Sequence, residues 1–71
     1  MINLKKYEKM TFNELVKLLE KNQFTLIKEK GSIRYYKKTD LGKLIRIDFH
    51  GSKEVPTGTC KSILKSAQIK L

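Results

Sequence analysis

The chain has one cysteine, one histidine, one proline and no tryptophan in its 71 residues. Cys60 has no partner for an internal disulfide, and with His50 alone it cannot complete a zinc site, so the usual supports of very small domains are missing. No apolar run approaches the ~20 residues of a transmembrane helix. Residues 1–10 carry lysines without an apolar stretch of signal-peptide length, which makes the cytoplasm the expected compartment, without a membrane partner. Paired carboxylates for acid–base work are lacking. Gly31-Ser32 and His50-Gly51-Ser52 match neither a P-loop nor a nucleophile elbow, so both serines are read as turn residues. Neither a metal nor a small-molecule cofactor is expected.

Sixteen Lys and Arg stand against seven Asp and Glu, a formal charge of +9. Such an excess points to a polyanionic partner, RNA first; a lysine-rich solvated surface and a membrane surface are the other readings of charge alone. A domain of this length buries only about 60% of the surface its unfolded chain exposes, so one small core must hold it together.

The strongest local signal is Thr11-Phe12-Asn13-Glu14, a capping box, with Met10 placed to meet Leu15 as a hydrophobic staple. Phe12, Leu15, Val16 and Leu19 then recur at i, i+3, i+4, i+7, the spacing of one helix face. Lys21, Asn22 and Gln23 close this helix, with Asn22 suited to the left-handed position after it. Residues 1–10 are read as an extension and residues 11–71 as the folded domain.

Three segments rich in β-branched and aromatic residues follow at 24–29, 33–38 and 44–50. The connections 30–32 and 39–42 contain glycine, which implies antiparallel hairpins. In the third segment Ile45, Ile47 and Phe49 alternate with Leu44, Arg46, Asp48 and His50, so one face is buried and the other open. In the second, Ile33-Tyr35-Lys37 and Arg34-Tyr36-Lys38 are both mixed, and period alone leaves the register undecided; Tyr36 is read as core. A second helix, capped by Thr57 or Thr59, carries Cys60, Ile63, Leu64 and Ala67 at helical spacing. Cys60 is accordingly read as a small buried hydrophobe rather than a nucleophile. The expected class is α+β: helix, three-stranded antiparallel sheet, helix, with both helices on one face.

Lys28, Lys30, Arg34, Lys37, Lys38, Lys43 and Arg46 lie on or beside the strands, with Tyr35 and Tyr36 interleaved. Cations fix phosphates and tyrosine rings stack on unpaired bases, a combination suited to single-stranded RNA. Lys30, Arg34, Tyr35, Lys37 and Arg46 are the candidate RNA contacts. His50 is the only imidazole available for proton transfer.

Read in order, TFNELVKLLEKNQF, KGS followed by RYYK, FHGSKEVPTGT and CKSILKSAQI resemble the HicA toxins, mRNA-cleaving ribonucleases of bacterial toxin–antitoxin modules. Relatives have an ELIKLLEKNGF-like helix, a GSHxxY motif, a VPxH…PGT segment and an ILKQAGL-like end. The resemblance implies a fold similar to double-stranded-RNA-binding domains, RNA as partner, a HicB-like antitoxin, and metal-independent endonuclease chemistry. One position departs from the pattern at its functional centre: Ile33 stands where GSHxxY has the catalytic histidine. Isoleucine cannot take a proton, which leaves His50 as the candidate catalytic residue. Two other readings stand beside an active toxin: a catalytically inactive RNA-binding module of the same fold, and a small DNA-binding protein of phage type.

Overall fold

The computed structural model describes residues 10–69, with the order α1 (Phe12–Lys21), β1 (Thr25–Lys30), β2 (Ile33–Lys38), β3 (Leu41–Asp48), α2 (Thr57–Ser66). The expected α+β class holds, as one antiparallel sheet in the order β1-β2-β3 with two helices. Of the expected extension, only Met10 falls within the described residues. It packs against the core. No helix among these residues is long and apolar enough to cross a membrane.

The capping box forms as expected: Thr11 Oγ1 accepts from Glu14 N at 3.1 Å, and Thr11 N donates to Glu14 Oε1 at 2.8 Å. Phe12, Leu15, Val16 and Leu19 are buried together with Cys60 and Leu64 of α2 and with Tyr36, Ile45 and Ile47 from one face of the sheet. Fully burying a leucine such as Leu15 or Leu19 contributes about 2 kcal/mol relative to leaving it in water. Met10 adds a sulfur contact, 3.8 Å from Cys60 Sγ, and burial pushes the Cys60 thiol pKa up.

Four local expectations need correction. The left-handed residue after α1 is Gln23 (φ 72°), while Asn22 serves as C-cap at φ −96° and bonds Leu18 O through its side chain. Gln23 N then donates to Glu20 O and Phe24 N to Leu19 O, both at 3.0 Å, the paired bonds of a Schellman ending. Phe24 therefore belongs to the helix exit and the core, and β1 starts one residue later. The β2–β3 turn is only Thr39-Asp40, because Lys38 pairs with Leu41; β3 runs through the Leu41-Gly42 expected as loop and stops at Asp48. At α2 the N-cap is Pro56, without a side-chain cap bond, instead of Thr57 or Thr59. Proline's fixed φ sets the helical entry one residue ahead of Thr57 and three ahead of Thr59.

Between β3 and α2 the chain has no regular structure, yet it is laced to the start of α1. Phe12 N donates to Lys53 O (3.0 Å), Asn13 N to Gly51 O (2.9 Å) and Val55 N to Met10 O (2.8 Å), and Thr11 forms an isolated bridge with Glu54.

Candidate nucleic-acid interface

Cross-strand register decides which side chains share a surface. Tyr36 and Ile45 are paired and buried, so their neighbours Tyr35 and Arg46, also paired, point to the opposite, open face. A one-residue irregularity between Leu26 and Lys28 brings Lys28 opposite Tyr35 and Lys30 opposite Ile33. The open face is thus three rows across the strands: Lys30, Ile33 and Asp48; Lys28, Tyr35 and Arg46; Thr25, Lys37 and Leu44. Four cations surround one tyrosine, and Lys28 Nζ lies 5.9 Å from its ring centroid. Asp48 is the single acid among the nine.

Of the residues singled out from sequence, Lys30, Tyr35, Lys37 and Arg46 come together on this face, and His50 lies just beyond its end. Arg34 does not join them. It shares the face of Tyr36, paired with Ile47 and Glu29. Its guanidinium sits 3.8 Å over the Phe49 ring, reaches the Tyr36 hydroxyl at 3.5 Å and pairs with Glu29 Oε2 at 3.3 Å. These contacts, the Tyr36 hydroxyl foremost, hold its proton more firmly still. Arg34 lids the core at the sheet's end. Lys28 takes the place on the open face that the sequence reading gave to Arg34: strand alternation counted from a buried Tyr36 turns Arg34 inward, and the irregularity between Leu26 and Lys28 brings Lys28 opposite Tyr35.

The end of the open face is organised by Ser32. Its hydroxyl donates to Asp48 Oδ1 at 2.6 Å, and its carbonyl accepts from Phe49 N at 2.7 Å. Gly31, at φ +59°, supplies the left-handed turn that puts Ser32 there. Asp48 Oδ2 in turn lies 3.5 Å from His50 Nε2. The Ser32 hydroxyl first, and His50 and Arg46 behind it, hold the Asp48 carboxyl below the usual carboxylate range. Phe12 meets the His50 ring edge-on, with centroids 5.2 Å apart. The imidazole is therefore held from two sides while its side chain stays 47% exposed, open to a ligand.

Beside His50 a groove of 480 Å³ runs from the outer side of β3 to the start of α2. Phe12, Pro56 and Ile63 form its apolar part. Arg46 and Lys53 bring positive charge, while Asp48 and Glu54 bring carboxylates. Sequence reading missed this groove, because its walls come from three segments brought together by core packing and by the main-chain lacing at residues 51–55. Among the described residues, no group of three His, Cys, Asp or Glu side chains could hold a metal ion.

Comparison with known proteins agrees with the resemblance carried by the motifs. The family model described as HicA toxin of bacterial toxin-antitoxin matches residues 12–69, which span both helices and all three strands. No curated protein matches the chain. With a match over most of its length, this chain belongs to the HicA toxin family of bacterial toxin–antitoxin pairs.

Proposed function

We propose that this toxin acts on cytoplasmic RNA, binding single-stranded or irregular RNA across the open sheet face and cleaving it beside His50, and that a HicB-like antitoxin holds it in check. The observation that carries the reading is the ring of Lys28, Lys30, Lys37 and Arg46 around Tyr35. Cations at this density bind phosphates, and the ring face offers a stacking platform indifferent to base identity. The order of elements fits the expected likeness to double-stranded-RNA-binding domains. An acidic antitoxin surface would find the same cations and be steered to them.

The chemistry available to these residues is transesterification. The ribose 2′-oxygen attacks the adjacent phosphorus, the bond to the 5′-oxygen breaks, and a 2′,3′-cyclic phosphate and a free 5′-hydroxyl result. His50 takes the 2′-hydroxyl proton or returns one to the leaving oxygen. Arg46, which lines the same groove, balances charge on the phosphate. With Ile33 at the family's base position, His50 carries the proton alone.

Gel-resolved cleavage of a single-stranded RNA in chelator, by the natural protein and by His50→Ala, tests the reading. Cleavage that His50→Ala abolishes supports it. Binding without cleavage in both proteins removes the catalytic half, and the absence of salt-dependent binding removes the whole.

A further inference from the structure

We propose that the groove beside His50 is a base-recognition site that seats one unpaired guanine of the bound RNA strand, with Glu54 reading its Watson–Crick edge. The inference rests on the open face being the RNA-binding surface.

Three observations lead to it. The first is continuity. Arg46 and Asp48 belong both to the rows of the open face and to the lining of the groove. A strand whose phosphates follow the cations past Tyr35 therefore meets the groove at Arg46 and Asp48. At 480 Å³ the groove is of the size that holds a small ligand, a single nucleotide included.

The second is the character of the walls. Phe12, Pro56 and Ile63 give apolar surface for a base's faces, while Lys53 and Arg46, which line the same groove, supply cations for the flanking phosphates. A peptide would also find apolar surface here, but the continuity with the cation rows favours a polyanion whose bases are free to turn out of the stack.

The third is the hydrogen-bonding chemistry of the acids. Asp48 is already engaged by Ser32 and faces His50. Glu54 is exposed on the groove, its main chain fixed by the bridge to Thr11, and among the described residues its carboxylate makes no ion pair or side-chain hydrogen bond. An ionised carboxylate only accepts hydrogen bonds. Guanine alone among the four bases offers two adjacent donors, N1–H and the 2-amino group, which a carboxylate takes as a pair. Adenine and cytosine offer one amino group on that edge and uracil a single ring N–H. Well-placed bidentate contacts discriminate between bases by roughly tenfold or more.

The test uses fluorescence anisotropy with short all-uridine RNAs carrying a single central guanosine, adenosine, cytidine or inosine, or none, against the natural protein and Glu54→Ala. The expected result is guanosine binding about tenfold tighter than all-uridine, with inosine, which lacks the 2-amino group, between them. In Glu54→Ala the guanosine preference should vanish while all-uridine binding is kept or strengthened, since an acid has been removed. Salt-dependent binding of all-uridine RNA without a guanosine preference would overturn the guanine site and leave the open-face reading standing. A preference that survives in Glu54→Ala would overturn the role of Glu54. Failure of every RNA to bind would overturn both readings together.

Discussion

Ile33 stands directly across the β2–β3 pair from Asp48, and Asp48 carries the Ser32 hydroxyl on one oxygen and faces the His50 imidazole with the other. Position 33 is thus already on the open face, one strand spacing from the groove that His50 lines. On the proposed RNA reading, a side chain there would need only a functional group to act on the RNA backbone.

Ile33→His is expected to raise cleavage of a single-stranded RNA by at least tenfold, because a positioned general base contributes about 10²–10⁴ in rate. A base works unprotonated, so the gain should appear as pH rises through the imidazole range near ~6.5. The facing Asp48 carboxylate favours the protonated ring and should move that midpoint upward. Initial rates against pH in chelator would measure both. Unchanged rates in a variant that still binds RNA would show that position 33 does not address the scissile phosphate.

Arg34 and Lys37 should separate cleanly. Lys37→Ala should reduce the log–log salt slope of RNA binding by about 0.7, from near −2.8 for four single-strand phosphate contacts. Arg34→Ala should leave that slope alone and cost about 1–3 kcal/mol of stability, through loss of the Phe49 stack and the contacts with Tyr36 and Glu29. Filter binding over a salt series, together with urea midpoints, distinguishes them. A slope that falls with Arg34→Ala would put its guanidinium on the RNA after all.

Ser32→Ala should move the Asp48 titration up towards the ordinary carboxylate value, since the serine hydroxyl is the largest influence holding it down. The sign for stability follows. A carboxyl whose folded pKa is depressed stabilises the fold above its unfolded pKa, near ~3.9, and loses that contribution as pH falls through the lower folded value. The natural protein should therefore show a component of acid destabilisation below about pH 4 that Ser32→Ala lacks. Carboxyl NMR titration gives the first quantity and thermal melts against pH the second.

Gln23 and Gln68 both hold left-handed backbone, φ 72° and 58°, after α1 and α2. The second repeats the first: Gln68 N bonds Lys65 O at 3.1 Å and Ile69 N bonds Leu64 O at 3.0 Å. Both fall where the family pattern has glycine. Residues with a Cβ lose roughly 1–2 kcal/mol in this conformation, offset in part by glycine's greater freedom when unfolded. Gln23→Gly and Gln68→Gly should each stabilise the protein by about 0.5–1 kcal/mol, and the two gains should add because the sites are separate. Denaturant midpoints of the single and double variants would show it.

What was legible in the sequence was whatever a few neighbouring residues decide. Thr11 and Glu14 announce α1 because the box closes within one turn, and Ile45 and Ile47 announce the buried side of β3 by alternation. Arg34 was grouped with the open-face cations because β2 is mixed on both sides, whereas it lies on the side of Tyr36. Alternation counted from a buried Tyr36 turns Arg34 inward, and the pairing of Tyr36 with Ile45 bears that side out as the inner one. Pro56 displaced the two threonines as N-cap for a backbone reason that side-chain capping preferences do not contain. The groove was invisible for a different cause: Phe12 and Glu54 are brought together by main-chain bonds between residues 10–13 and 51–55, and no side-chain pattern records those.

That lacing gives the groove a lifetime of its own. Residues 50–55 carry His50, Lys53 and Glu54 without a helix or strand to hold them, and the bonds that do hold them end on Met10, Thr11, Phe12 and Asn13. The amides of Phe12, Asn13 and Val55 should consequently exchange with solvent hydrogen as one cooperative unit, opening when the first turn of α1 opens and well before the sheet does. Fraying at Thr11 should then disassemble the groove while the rows of cations on the sheet stay in register, so under the proposed RNA reading the grip on a backbone and the readout of a base would be lost separately and on different timescales.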